Sequence, residues 1–389
     1  MREGWEIKRI KDVADVFAGQ GAPQGDSNYC LNGTPFVKAG NLSELINGKP
    51  ESSIQNVSEQ VAKFYKLKLY KAGSVLFAKS GMSCMKGFVY TLKNDCYVVS
   101  HLAIITPISI NSHFLNYYLC FNKPNTLIKD SAYPSISLKD IENLKIPVPP
   151  LSEQQRIVEE LDLLSSIIEK KKEQLKELDN LAQSIFYDMF GDPVTNEKGW
   201  EVKPFGKECV ELKYGTSRPA CENGKYKYLR MGNLTINGEL DLSNLKTIDI
   251  PDDEVEKCIV RYGDILFNRT NSLDLIGKTC MFNLEEPMVI AGYIIRVRLS
   301  MNLNPRYISS MFNMPRMKLL LKKMAKGAVN QVNINSKELA SIQIPLPPLP
   351  LQQLFASKIE VIEQQKELIK RSIAEVETMF NSRMDYYFN

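Results

Sequence analysis

Five short stretches of this chain are written twice, in the same order and at a nearly constant offset. "GWEIKRI" at Gly4 returns as "GWEVKPF" at Gly199, and "PFVKAGNL" at Pro35 returns as "KYLRMGNL" at Lys227. "AGSVLFAKSG" at Ala72 corresponds to "YGDILFNRTN" at Tyr262, and "VVSHLAII" at Val98 to "VIAGYIIR" at Val289, give or take a residue. Last comes "IPVPPLSEQQRIVEEL" at Ile146 with "IPLPPLPLQQLFASKI" at Ile344. Chance supplies one such pair, not five in register. The chain therefore duplicates one large module; solenoid repeats are far shorter. A length of 389 residues also suits two domains better than one core.

Within each module, short apolar runs lie between Gly, Asn and Asp turns: "SVLFAK", "YVVS", "LAIIT", "DILFNR" and "YIIRVRL". These read as strands. Helices are predicted between them, among them His113 to Asn122 and Pro305 to Lys326. Each module is thus mixed α and β around its own sheet. Pro147, Pro149 and Pro150, matched by Pro345, Pro347, Pro348 and Pro350, force an extended path after each module. Ser152 reads as an N-cap with Gln155 three residues on, a capping-box pattern. Helix formers then run without Gly or Pro to Gly191 and Pro193, about 38 residues or about 57 Å of helix.

That helix carries apolar residues at heptad spacing: Ile157, Leu164, Leu178 and Ile185 in one row, Leu161, Ile168, Leu175, Ala182 and Met189 in the other. The second helix offers Phe355, Ile362, Ile369 and Val376 beside Ile359, Ile373, Phe380 and Tyr387. Such stripes are coiled-coil seams. Lys171 and Lys366 interrupt them, and read as snorkelling lysines at a widened seam rather than as register devices. The expected fold is α+β: two mixed α/β globular domains joined by two long antiparallel coiled-coil helices, with an internal pseudo-twofold. Residues 1–150 and 193–349 form the globular domains, and 151–192 and 350–389 the helices. An antiparallel pair sets the globular domains at opposite ends.

Composition narrows the class. The chain is 44% apolar and 24% charged, with a net charge of +4. It contains no apolar run of roughly 20 residues to span a membrane. "MREGWEIKRI" lacks the apolar core of a signal peptide, so a cytoplasmic location is expected. Eight scattered cysteines form no C-x-x-C pair and there are two histidines, which argues against zinc. The mild basic excess is compatible with nucleic acid.

Catalytic patterns are missing. There is no G-x-x-x-x-G-K-[ST], no G-x-G-x-x-G, no G-x-S-x-G, and no H-x-E with P-C-x-x-C. "ELK" at Glu211 matches the tail of a nuclease D…E-x-K pattern, a triplet common by chance. His101 aligns roughly with small residues of the second copy, and His113 has no evident partner. What recurs instead is polar and basic turns. They hold Lys38, Asn41, Lys79 and Ser80 in the first copy and Arg230, Asn233, Asn268, Arg269, Thr270 and Asn271 in the second. "GAVNQVNIN", with Asn330 and Gln331, precedes the second hinge where "SAYPSIS" precedes the first. These are the side chains that contact phosphates and base edges. A repeated frame with divergent loops is what reading two different targets requires.

"IPVPPLSEQQRIVEELD", "SIFYDMFGDP", "IPLPPLPLQQLFASKIE", "GSVLFAKSG" and "GDILFNRTN" together resemble the specificity subunit of type I restriction–modification systems, over essentially the whole chain. Pro350 and Leu351 depart from Ser152 and Glu153 of the first copy. The resemblance implies two target recognition domains, each reading half of a split double-stranded DNA site, with helices that fix the unread spacer. It also implies docking of two methyltransferase subunits that bind S-adenosylmethionine and methylate adenine, and of a restriction motor subunit using ATP and Mg²⁺. No cofactor is then expected in this chain, which is not itself an enzyme. The competing readings are a stand-alone DNA-modifying enzyme and a helical scaffold without a DNA role.

Overall fold

The computed structural model describes residues 4–328 and 330–389. The chain forms two compact units, Met1–Lys171 with Ser372–Asn389, and Lys172–Arg371. The division falls inside two 40-residue helices, Leu151–Phe190 and Leu349–Phe388. Among the described residues no helix is long and apolar enough to cross a membrane.

The first unit is built on an antiparallel sheet in the order Ala14–Ala18, Leu102–Pro107, Val75–Ala78, Val89–Thr91. Its central strands are apolar on both faces, and "VLFA" is buried throughout. A second sheet pairs Thr34–Val37 antiparallel with Asn56–Val57 and parallel with Tyr97–Val98. The second unit repeats this plan: Cys209–Tyr214, Ile294–Leu299, Ile265–Asn268, Thr279–Met281, and beside them Tyr226–Leu229 parallel to Met288–Ile290. Mixed helix and sheet in two duplicated modules is thus the architecture.

The proline hinges are strands as well as stops. Glu6–Arg9 pairs with Lys145–Val148, and Glu201–Pro204 with Gln343–Leu346, in identical register, so that Ile7 faces Pro147 and Val202 faces Pro345. The first repeated motif is therefore the partner of the last. Proline is tolerated because each ribbon has only two strands, leaving an outer edge where no N–H is needed.

Three local expectations are corrected. The first long helix begins at Leu151, with the Pro150 carbonyl accepting from the Glu153 and Gln154 amides, so Ser152 lies inside the first turn and is not the cap. Gln155 reaches Asn111 and Glu159 instead of closing a capping box. The predicted Pro305–Lys326 helix is two, Pro305–Asn313 and Pro315–Met324, because Met314 precedes a proline and turns extended (φ −62, ψ 142). Third, Lys366 does not snorkel. It is buried, with Nζ 2.6 Å from both Asp179 Oδ1 and Glu239 Oε1, while Lys370 Nζ is 2.9 Å from Glu239 Oε2. Burial opposes its charge, but the two carboxylates hold the Lys366 ammonium above its usual range.

Each unit also contains a glutamine bracket. The Gln154 side chain accepts from the Asn111 amide at 2.8 Å and donates to the Pro149 carbonyl at 2.8 Å. Gln352 does the same with the Asn304 amide and the Pro347 carbonyl. Asn111 and Asn304 cap the helices Ser112–Phe121 and Pro305–Asn313. The first Gln of the repeated "QQ" thus locks a cap to the hinge.

Candidate nucleic-acid interface

Each unit gathers its turns along one strip of backbone. In the first unit, the Val99 amide donates to the Val37 carbonyl (3.0 Å) and the Lys79 amide to the His101 carbonyl (2.9 Å). The second unit repeats both bonds, Ala291 to Leu229 and Arg269 to Tyr293, each 2.9 Å. Lys38 and Lys79, and likewise Arg230 and Arg269, therefore flank segments 98–101 and 290–293. Gly19 and Gly215 let a third chain press onto these segments. A Cβ there would lie 2.2 Å from the Val99 carbonyl oxygen, or 2.1 Å from that of Ile290. The approach is closed by Ser100 donating to the Gln20 carbonyl and Gly292 to that of Thr216.

This register corrects the alignment of His101. It matches Tyr293 and not the small residues, Ala291 and Gly292, just before it. Ser80 Oγ lies 2.9 Å from His101 Nδ1. The corresponding pair is Thr270 and Tyr293, so the hydroxyl–imidazole contact is not shared by the two copies. Nor is Glu211 poised for chemistry: it is an ion-pair partner of Arg296, Arg298 and Lys213.

The asparagines divide by burial. Asn41 Oδ1 accepts from the Lys38 amide, and Asn233 Oδ1 from the Arg230 amide, both at 2.9 Å. Asn233 is buried and donates also to the Asp241 carbonyl. Asn268 is 0% exposed, donating to the carbonyls of Thr270 and Tyr293 and accepting from Asn271. Thr270, also buried, donates to Asn333 Oδ1. These four side chains hold the turns in shape; a buried, fully bonded amide cannot reach a base edge without opening its turn.

The cationic candidates are half-buried at their stems. Lys38 Nζ donates to Gln55 Oε1 at 2.6 Å and sits 4.5 Å from the Tyr29 ring centre. The Arg269 guanidinium stacks 4.8 Å over Tyr214, and Arg230 donates to the Asn244 carbonyl. Lys79, Ser80 and Asn271 are partly exposed, whereas Asn330 and Gln331 are fully at the surface. In the second unit Thr270–Asn271 pairs with Gln331–Asn333, which pairs in turn with Lys326–Ala328, a hairpin that joins Arg269, Asn271, Asn330 and Gln331 in one ribbon. In the first unit the same place holds a single bridge, Ser80 with Ser135.

The helix stripes lie within the units. Ile157, Leu161, Leu164, Phe355, Ile359, Ile362 and Ile373 are buried, while Ile168, Leu175, Leu178, Ile369 and Val376 are half-buried. Heptad arithmetic missed Phe186 and Phe190, both fully buried, which pack on Tyr307 and Phe355.

The sequence profile described as "Type I restriction modification DNA specificity domain" matches residues 2–179 and again 197–378. The chain is similar to the "Type I restriction enzyme EcoKI specificity subunit" of Escherichia coli (strain K12), at 23% identity over 397 residues, 95% of this chain and 84% of that protein. It is also similar to the "Type I restriction enzyme StySPI specificity subunit" of Salmonella potsdam, at 22% identity, covering 98% and 86%. In fold it is similar to the S subunit of a type I restriction-modification system from M. genitalium, with TM-score 0.57 at 12% identity over 98% of this chain and 95% of that one. A chain from work on "complex assembly" and "conformational transition of the type I R-M system" gives TM-score 0.58 at 19% identity, covering 100% and 98%.

Proposed function

The chain belongs to the type I restriction modification DNA specificity family, and from that premise we propose how it divides the work of reading a split DNA site. Residues 1–150 and 193–349 are the two target recognition domains, each reading one half-site. Residues 151–192 and 350–389 are spacer helices that run antiparallel, set the number of unread base pairs and dock two methyltransferase subunits. Methylation and cleavage belong to the methyltransferase and restriction subunits, and this chain supplies recognition.

The observation that carries the reading is the repeated strip. Two units place Lys38 with Lys79, and Arg230 with Arg269, beside equivalent backbone segments, yet surround them with different surface side chains. Cations at fixed places suit phosphates, which position the protein, and variable polar tips suit base edges, which specify. The antiparallel course is supported within each unit. In the first, Glu160 accepts from Arg383 Nε and Tyr387 OH, each at 2.6 Å. In the second, Phe355 packs 5.6 Å from Phe186 and 5.2 Å from Phe190, ring centre to ring centre.

The test is a gel shift of split-sequence duplexes with the chain alone and with its methyltransferase subunits. The expected outcome is specific retention whose logarithmic affinity falls steeply with the logarithm of salt. Methylation by the isolated chain would replace this reading with a self-contained enzyme; sequence-blind or absent DNA binding by the complex would leave only a scaffold.

A further inference from the structure

In both units a short segment enters the strip just before the hinge, and its backbone anchors are the same. The Ile136 amide donates to the Lys79 carbonyl at 2.8 Å, and the Ile334 amide to the Arg269 carbonyl at 2.9 Å. Both isoleucines are buried. Ser137 and Asn335 follow, each capping the short helix that leads into the hinge. On the other side, Ser80 bridges Ser135 as Thr270 pairs with Asn333, and the Gly81 amide donates to the Pro134 carbonyl where Asn271 pairs with Val332. Counting outward from these anchors, Tyr133 and Gln331 occupy the same place, three residues before the buried isoleucine.

Neither residue has a structural reason to be where it is. Tyr133 is 82% exposed, beside the exposed Met82 that follows Gly81. Gln331 is exposed on the hairpin next to Asn330. An aromatic ring and a thioether left in solvent have no role in a core. The amide lies at the end of the hairpin that Lys326–Ala328 and Gln331–Asn333 form as the outer pair of a three-stranded sheet, where Gln331 pairs with Ala328 alone; a two-stranded ribbon is a shape that the major groove admits.

We propose that Tyr133 and Gln331 are equivalent base-reading positions, one per half-site, with opposite chemistry. This rests on the DNA-reading role given above. Gln331 makes a bidentate contact to adenine N6 and N7, the pairing its amide geometry fits. Tyr133, with Met82, packs on the C5-methyl of a thymine, the apolar feature of the major groove. One frame thus presents a hydrogen-bonding tip in one unit and an apolar tip in the other, so the two half-sites differ at the corresponding position.

Base analogues test this in the complete complex with the methyltransferase subunits. Each adenine of the recognised duplex is replaced in turn by 7-deazaadenine, which lacks N7, and each thymine by uracil, which lacks the methyl. With the unsubstituted chain, one 7-deazaadenine in the second half-site weakens binding by roughly two- to tenfold for the single lost hydrogen bond, and one uracil in the first weakens it by roughly fourfold for the lost methyl contact. Gln331→Ala abolishes the first sensitivity and leaves the second; Tyr133→Ala does the reverse, and Tyr133→Phe retains it. The untouched half-site serves as the folding control in each variant. Analogue sensitivities that persist in both alanine variants, or that vanish in the wrong half-site, overturn the proposal. Failure of the unsubstituted complex to select any duplex overturns the DNA-reading premise instead.

Discussion

Replacing Lys366 by methionine removes the cation from a cluster that has two carboxylates within 2.6 Å of it. Glu239 keeps Lys370 as a partner, at 2.9 Å, but Lys366 is the cation on Asp179. Breaking a buried pair on one side costs about 3–5 kcal/mol, because the remaining charge stays desolvated. Here the side chains of Asp179 and Glu239 are about a third exposed (34% and 35%), so water recovers part of that. A loss of about 2 kcal/mol remains, which lowers the melting temperature of a unit of this size by roughly 4–8 °C. Each unit holds one tryptophan, Trp5 and Trp200. In a Trp5→Phe background, emission from Trp200, whose Nε1 donates to the Phe190 carbonyl, reports the second unit alone.

Two further measurements separate this from a nonspecific defect. Adding Asp179→Asn and Glu239→Gln to Lys366→Met removes the stranded charges, so most of the loss should return. The pH dependence should also change. Burial raises the Glu239 carboxyl, but the Lys366 and Lys370 ammoniums outweigh it and hold the group below its usual range. A depressed carboxylate adds stability above its unfolded pKa, about 4.3, and that stability is lost as pH falls through the folded value. Lys366→Met should shrink this acid sensitivity. A variant that melts within about 1 °C of its parent and keeps the same acid profile would refute the cluster and restore Lys366 as a snorkelling side chain.

Gln154→Ala should destabilise the first unit, followed by Trp5 emission, by about 2–3 kcal/mol, since a half-buried amide and a buried carbonyl each lose a partner. Gln352→Ala should do the same in the second unit; a neutral result in either denies the bracket. Burial, with the Lys278 charge adding to it, pushes Lys318 down to about 7, against about 10.4 unfolded. The unfolded chain then binds more protons between those values, so stability of the second unit rises as pH climbs above about 7, and Lys318→Met should flatten that slope. Deleting one heptad from each long helix should alter the preferred spacer or abolish binding while leaving the half-site bases unchanged, as read by selection from duplexes of varied spacer.

What was legible in the sequence is what repeats or has a period. The duplication, the strands "VLFA" and "ILFN", and the two long helices are all visible in order and spacing. Long-range side-chain contacts were not. Heptad counting placed Lys366 on a stripe, but it could not see Glu239 arriving from a loop some 127 residues away in sequence. The same counting passed over Phe186 and Phe190, because it considers helix against helix and not Tyr307 from the globular domain. Asparagine at a turn is ambiguous by nature: its amide serves equally as a local cap or as an outward contact. Asn41, Asn233 and Asn268 proved to be caps and braces, while Asn330 is exposed in a turn. The place of Tyr133 in the strip could not be read from "SAYPSIS", because it is set by the backbone bond of Ile136 to Lys79 rather than by its own residue type.

The two kinds of position obey different physics, and this explains how one frame serves two targets. The strip is fastened by backbone amides and carbonyls, which every non-proline residue carries, and by a few side chains without substitutes: Gly19 and Gly215 for clearance, Ile136 and Ile334 for burial, Gln154 and Gln352 for bracketing. Between these fasteners, the bonded asparagines and Thr270 brace the turns, and the exposed tips contribute only backbone to the fold. Tyr133 and Gln331 can therefore differ without strain, since backbone bonds at Ile136 and Ile334 set their places, whereas Ser80 with His101, and Thr270 with Asn333, also bond through their side chains. A change of DNA preference is then nearly free of structural cost at the exposed tips, and costly at the fasteners. Specificity can diverge between the units for that reason, while the register of their strips stays the same.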